Sequence, residues 1–148
     1  MANIPASKYS ELTVARPITG GCLCGGLRYE CTGKPLIAFH CQCQHCQKLS
    51  STGHGSYILL SKSETKVTGN FSIWSYTADS GNTTTKHFCP KCGTQVFSLT
   101  SGHQNNFIAS ASSLDDKSLF LPSLVLFAKH ASPWDQIDNS LPRYSGGA

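Results

Sequence analysis

Seven of the eight cysteines in this 148-residue chain fall into three tight clusters, and nothing else restricts its fold as strongly. They are Cys22-Leu23-Cys24, then Cys41-Gln42-Cys43-Gln44-His45-Cys46, then Cys89-Pro90-Lys91-Cys92. Two cysteines separated by one or two residues can reach one ion from a tight turn, and zinc takes four such soft donors at tetrahedral angles. The outer pairs, Cys22/Cys24 and Cys89/Cys92, make a complete four-sulfur set that staples segments about 65 residues apart. Glycines at Gly20-Gly21, Gly25-Gly26 and Gly93 let the backbone turn around an ion. The middle cluster offers three cysteines, Cys41, Cys43 and Cys46, and no obvious fourth ligand. Either Cys31, His40 or His45 closes it into a second staple, or water or substrate takes the fourth position, which is the layout of a working zinc site.

A disulfide framework would also use an even number of cysteines. It fits poorly, because bridges within Cys-x-Cys or Cys-x-x-Cys close strained rings. Met1–Gly20 is polar, is interrupted by Pro5 and Pro17, and has no apolar stretch of signal-peptide length. The expectation is a cytoplasmic protein whose thiols stay reduced. The formal net charge is +4. Seven thiolates contribute −7 and two divalent ions +4, so the loaded chain sits near +1 and offers no basic surface for nucleic acid. No apolar run is long enough to span a bilayer, so no membrane partner is expected.

Period-two alternation dominates the rest. Gly26–Cys31, Ser56–Leu60, Phe71–Thr77, Thr83–Phe88, Gln95–Leu99, Phe107–Ser112 and Leu124–His130 read as short strands. Gly69-Asn70 and Ser80-Gly81-Asn82 read as hairpin turns. Helical signal is confined to a turn or two after Cys46 and another near Leu114–Leu119, where Asp115 and Asp116 suit a first turn. The prediction is a mainly-β, zinc-stapled single domain of short antiparallel strands over residues 16–145, with an extension at 1–15 and a tail at 146–148.

Three thiolates around a divalent ion leave a net charge of −1, which weakens the ion as a generator of hydroxide. Such an ion is better suited to holding and deprotonating a further thiol. That points to forming or cleaving an adduct between a small thiol and a carbonyl carbon. Lys48, beside the middle cluster, could attract a substrate carboxylate or simply be solvated. Trp74 and Trp134 read as packing residues, and His54, His87, His103 and His130 show no spacing that suggests a site.

The segments Gly20–Glu30, Cys41–Cys46 and Phe88–Thr94, with Leu114-Asp115-Asp116 and Trp134 to Leu141-Pro142-Arg143-Tyr144, resemble the glutathione-dependent formaldehyde-activating family, which includes centromere protein V. The resemblance covers roughly residues 16–145. It implies a mainly-β zinc fold shared with a Rab-binding exchange chaperone and methionine-R-sulfoxide reductases. It implies a structural zinc on Cys22, Cys24, Cys89 and Cys92, and a catalytic zinc on Cys41, Cys43 and Cys46. The implied activity is a carbon–sulfur lyase joining glutathione and formaldehyde into S-hydroxymethylglutathione. One departure stands out: the family usually has His between the first two cysteines of the middle cluster, where this chain has Gln42. His45 or His40 could replace that imidazole. Two other classes compete. A non-catalytic interaction module predicts a closed second site, and a methionine sulfoxide reductase needs a cysteine after Cys92, which the chain lacks.

Overall fold

The computed structural model describes residues 4–147; residues 1–3 and 148, from the expected extension and tail, lie outside them. Among the described residues ten strands form two sheets. In chain order they are β1 (Ile18–Gly21), β2 (Arg28–Cys31), β3 (Ile37–Cys41), β4 (Gly55–Ser61), β5 (Thr65–Thr68), β6 (Ser72–Thr77), β7 (Thr83–Phe88), β8 (Gln95–Thr100), β9 (Asn106–Ser110) and β10 (Leu124–Leu126). One α-helix, α1 (Gln44–Ser50), follows β3. The small sheet is ordered β1-β2-β5, and the large one β10-β3-β4-β9-β8-β7-β6. Every pairing is antiparallel except β10 on β3. The mainly-β expectation holds, with that one parallel pair added.

The pleat of the large sheet sorts its residues onto two faces. Ala38, Ile58, Leu60, Phe97, Phe107 and Ala109 point one way and pack with Leu27, Tyr29 and Cys31 of the small sheet's side in the main core. Through it runs a column of rings: Tyr29 on Phe107 (5.4 Å between centroids), Phe107 on Phe97 (4.4 Å) and Phe97 on His87 (4.3 Å). Tyr9 and Val14, from the segment read as an extension, are buried in the same core, and the Tyr9 hydroxyl donates to the Leu119 carbonyl (2.6 Å). Neighbouring positions on the same strands, Phe39, Cys41, Tyr57 and Ile108, face the opposite way and gather around Cys43 and Cys46. The second cysteine group therefore sits in its own small apolar cluster, behind the sheet from the main core.

Two local expectations are corrected. Gly69-Asn70 joins β5 to β6, which lie in different sheets, so it is a crossover and not a hairpin. Leu124–His130 is a strand only to Leu126, because Phe127 adopts a left-handed φ of +54° and a single 3-10 turn follows. Ser80-Gly81-Asn82 does close the β6–β7 hairpin, with Ala78 N–H donating to the Asn82 carbonyl. Among the described residues no helix is long and apolar enough to cross a membrane.

Candidate metal and catalytic site

The outer cysteine pairs come together as the spacing predicts. Cys22 directly follows β1 and Cys89 directly follows β7, each at the start of a turn. Their loops are fixed by backbone bonds, Cys22 N–H to Leu27 O (2.9 Å) and Cys89 N–H to Thr94 O (3.0 Å). Cys22 and Cys24 sulfurs lie 3.6 Å apart, as do those of Cys24 and Cys89, and all four sulfurs lie within 4.8 Å of one another. Bonds of about 2.3 Å in a tetrahedron set sulfurs about 3.8 Å apart, whereas a disulfide needs about 2.05 Å. All eight cysteines are free thiols, so the donor set fits a tetrahedral ion and not a bridge. Thr94 knits the loops together: its hydroxyl lies 3.2 Å from Cys92 Sγ and accepts from Leu23 N–H.

The second group, Cys41, Cys43 and Cys46, also places its three sulfurs within 4.8 Å. Cys41 is the last residue of β3; Cys43 is the N-cap of α1, its sulfur accepting from Cys46 N–H at 3.3 Å; Cys46 lies in the first turn. A helix-capping thiolate and its own first turn thus wrap one point in space. Among the described residues no fourth His, Cys, Asp or Glu donor joins them. Each candidate fourth ligand is engaged elsewhere. Cys31 is in the main core. The His40 Nδ1 lies 2.8 Å from the Ser56 hydroxyl, and His45 stacks on Tyr76 with centroids 4.3 Å apart.

Electrostatics around this group are unusual. The thiols compete for protons: Cys43, bonded by Cys41 and Cys46, is held well below the ordinary thiol range, and Cys41 is pushed up by the same contact. Tyr57 is buried, and its hydroxyl donates to Cys46 Sγ at 3.2 Å. Lys86, only 5% exposed, holds its ammonium 5.0 Å from the Tyr57 ring centroid. Burial lowers the Lys86 pKa, and the negative charge of Cys46, Cys43 and Cys41 opposes that. A buried cation needs a counter-charge, and the thiolates provide it.

Gln42, buried between two of the ligands, donates through Nε2 to Asp135 Oδ2 at 3.0 Å. The Asp135 carboxylate also lies 2.9 Å from His54 Nδ1. Neither Asp135 nor His54 was singled out by the sequence, and Lys86 and Tyr57 were also missed. They are 81 positions apart in the first case, and no local spacing signals such a pair. Of the residues that were weighed, Lys48 is exposed, Asp115 pairs with Arg28, and Asp116 caps a 3-10 turn through Ser118 N–H. Trp74, read as core or edge packing, lies half exposed on the edge strand β6 and stacks on Tyr76, whereas Trp134 is exposed.

Two clefts flank the cysteines. One of about 360 Å³ is lined by Leu49, His54, Ser56, Tyr57, Thr94 and Gln95. No cysteine lines it, but two of its lining residues reach them, Tyr57 to Cys46 and Thr94 to Cys92. The other, about 290 Å³, includes Trp74, Lys86 and Phe88.

Comparison with known proteins agrees with this picture. A family model described as glutathione-dependent formaldehyde-activating enzyme matches residues 17–130. The fold is similar to the crystal structure of a Rhodobacter sphaeroides protein, with a TM-score of 0.55 and 16% identity over 85% of this chain and 99% of that one. No curated protein matches the chain. A family match across most of the sequence, both cysteine groups included in it, places the chain in the glutathione-dependent formaldehyde-activating enzyme family.

Proposed function

We propose that residues 16–145 form a zinc-dependent carbon–sulfur lyase that makes or breaks an adduct between a small thiol and a carbonyl carbon. Glutathione and formaldehyde, giving S-hydroxymethylglutathione, are the pair that the family's description supplies. One observation carries the reading: three cysteines converge with no fourth donor among the described residues, and Tyr57, which bonds Cys46, lines a cleft. In this assignment Cys22, Cys24, Cys89 and Cys92 hold a structural zinc, and Cys41, Cys43 and Cys46 hold the working one. Zinc on three thiolates would take a further thiolate in place of water and favour loss of its proton. The chain's own residues then tune that position. The Tyr57 hydroxyl orients and stabilises the Cys46 sulfur, and Lys86 balances the net negative charge. The seven thiols must remain reduced for this to work, which suits a cytoplasmic setting.

The test is zinc stoichiometry on wild type and Cys43→Ser, with and without glutathione, beside NMR detection of S-hydroxymethylglutathione. Two zincs in the wild type, one in the variant, and adduct formation lost with the second ion support the assignment. One zinc in both proteins sinks it. Two zincs with no response to any thiol would leave a second staple in place of a working site.

A further inference from the structure

The geometry points to an acid–base dyad that no cysteine motif announces. We infer that His54, oriented by Asp135, moves the proton in this reaction, taking it from the incoming thiol and returning it to the carbonyl oxygen. The inference rests on the thiol-adduct reading above.

Asp135 is well placed to orient a base. Its side chain is 5% exposed, and both carboxylate oxygens lie 2.9 Å from His54 Nδ1. Gln42 Nε2 also donates to Oδ2, at 3.0 Å. Burial pushes the acid's pKa up, but bonds from Gln42 and His54 prevail and keep it below the usual carboxylate range. An ionised carboxylate only accepts, so Nδ1 carries the hydrogen facing Asp135, and in the neutral ring that leaves Nε2 as the acceptor. That tautomer assignment is the arrangement by which a buried carboxylate prepares an imidazole for general-base work. The packing is built around it: a Cβ at Gly53 would lie 2.3 Å from Asp135 Cγ, so only glycine leaves room for the carboxylate there.

His54 is the member that reaches substrate space. It is 19% exposed and lines the 360 Å³ cleft, together with Tyr57, whose hydroxyl touches Cys46. His40, edge-on to His54 at 4.8 Å, does not compete for the role. Its Nδ1 is engaged by Ser56, and its ring packs edge-on against Phe120. The bridge from dyad to cysteine loop is Gln42, whose amide reaches the carboxylate directly, while the imidazole comes from the loop that leads into β4.

The step balances without any further reactant. A thiol R–SH and H₂C=O give R–S–CH₂–OH. The sulfur lone pair forms the S–C bond and the C=O π pair moves onto oxygen. The thiol proton passes to Nε2 and from there to the new hydroxyl, leaving the imidazole as it began. The reverse sequence cleaves the C–S bond.

The test measures adduct exchange by NMR with glutathione and formaldehyde on the zinc-loaded protein, comparing wild type, H54N, H54A and D135N. Asn at position 54 keeps a donor to Asp135 while removing Nε2, which separates chemistry from folding. A general base contributes about 10²–10⁴-fold, so H54N should lose at least 100-fold in kcat with zinc content and glutathione affinity intact. Added imidazole should restore part of the H54A rate. D135N, acting through the tautomer, should lower kcat with KM unchanged, and its ¹⁵N spectrum should show the His54 hydrogen redistributed. An active wild type with H54N within threefold of it overturns the dyad alone. So does an H54A loss that follows zinc loss and resists imidazole. A wild type that turns over no thiol adduct overturns the thiol-adduct reading and this inference with it.

Discussion

Replacing Tyr57 by Phe removes one oxygen from the wall of the three-cysteine group and nothing else. The ring remains beneath the Lys86 ammonium and against Phe39, whose centroid lies 5.6 Å away. What is lost is the 3.2 Å bond to Cys46 Sγ. The donor is buried and the acceptor is a thiolate when metal is held, and bonds to charged groups contribute about 1.5–3 kcal/mol. Since about 1.4 kcal/mol corresponds to tenfold in affinity, the second site should bind zinc roughly 10–100-fold more weakly. That agrees with the usual effect of removing an outer-shell partner. The four-cysteine site is an internal reference, because its hydroxyl partner is Thr94 and not Tyr57. The assay is zinc competition against a chromogenic chelator, in which wild type and Y57F should differ only in the weaker of two phases. An unchanged weak phase refutes the role of the hydroxyl. An equal shift in both phases shows a general loss of fold and refutes the site-specific argument.

Lys86→Met should weaken the second zinc by about 3 kcal/mol or more, since it leaves a buried net negative charge unpaired; in the metal-free protein, whose thiols can be neutral, the same change should stabilise the fold because a desolvated cation is removed. Zinc titration and urea unfolding of both forms check this, and a variant that holds two zincs as tightly as wild type refutes it. Gly69→Ala should destabilise by at least about 2 kcal/mol, because φ is +93° and the new Cβ would fall 1.8 Å from the Gly26 carbonyl oxygen. An unchanged urea midpoint would contradict it. Asp115→Asn tests a pH dependence. Arg28, with help from the Thr19 hydroxyl, holds the Asp115 pKa at about 2. A depressed carboxylate stabilises the fold above its unfolded pKa of about 4, and that gain disappears as pH falls through 2. The pair is 39% and 47% exposed, so screening limits it to about 0.5 kcal/mol. Wild type and D115N should therefore differ slightly at pH 5 and converge at pH 2; a constant difference refutes the ion pair as its source.

Strands β2, β4 and β6 to β9 were legible because each alternates over enough residues to show a period of two. The missed ones lack that signal for physical reasons. Half of β1 is glycine, β5 is four residues long, and β3 runs Ile-Ala-Phe-His-Cys with both faces covered. A strand between two packed layers has no polar face to mark it. The helix after β3 was placed slightly late, because its N-cap is Cys43, a residue more readily taken for a ligand than for a cap. All seven clustered cysteines were named from spacing alone, since a metal ligand set is written locally in pairs. Their surroundings were not. Tyr57, Lys86, His54 and Asp135 reach the site from β4, β7, the loop before β4 and the C-terminal segment, and only tertiary packing brings them together.

The contrast between the two cysteine groups follows from burial. In the four-cysteine group Cys24 is exposed and Cys92 half-buried, so water can screen the excess negative charge of four thiolates on one divalent ion. No buried cation is required, and a closed, screened set has nothing left to exchange. The three-cysteine group is more deeply buried, which limits that screening. Its charge must be met by Lys86 and by the Tyr57 hydroxyl, both of which would be costly to bury beside a neutral cluster. Their presence therefore argues for an anionic centre held by three thiolates. Under the proposed assignment, Lys86 offsets the charge of the three-thiolate centre before any substrate thiol is bound.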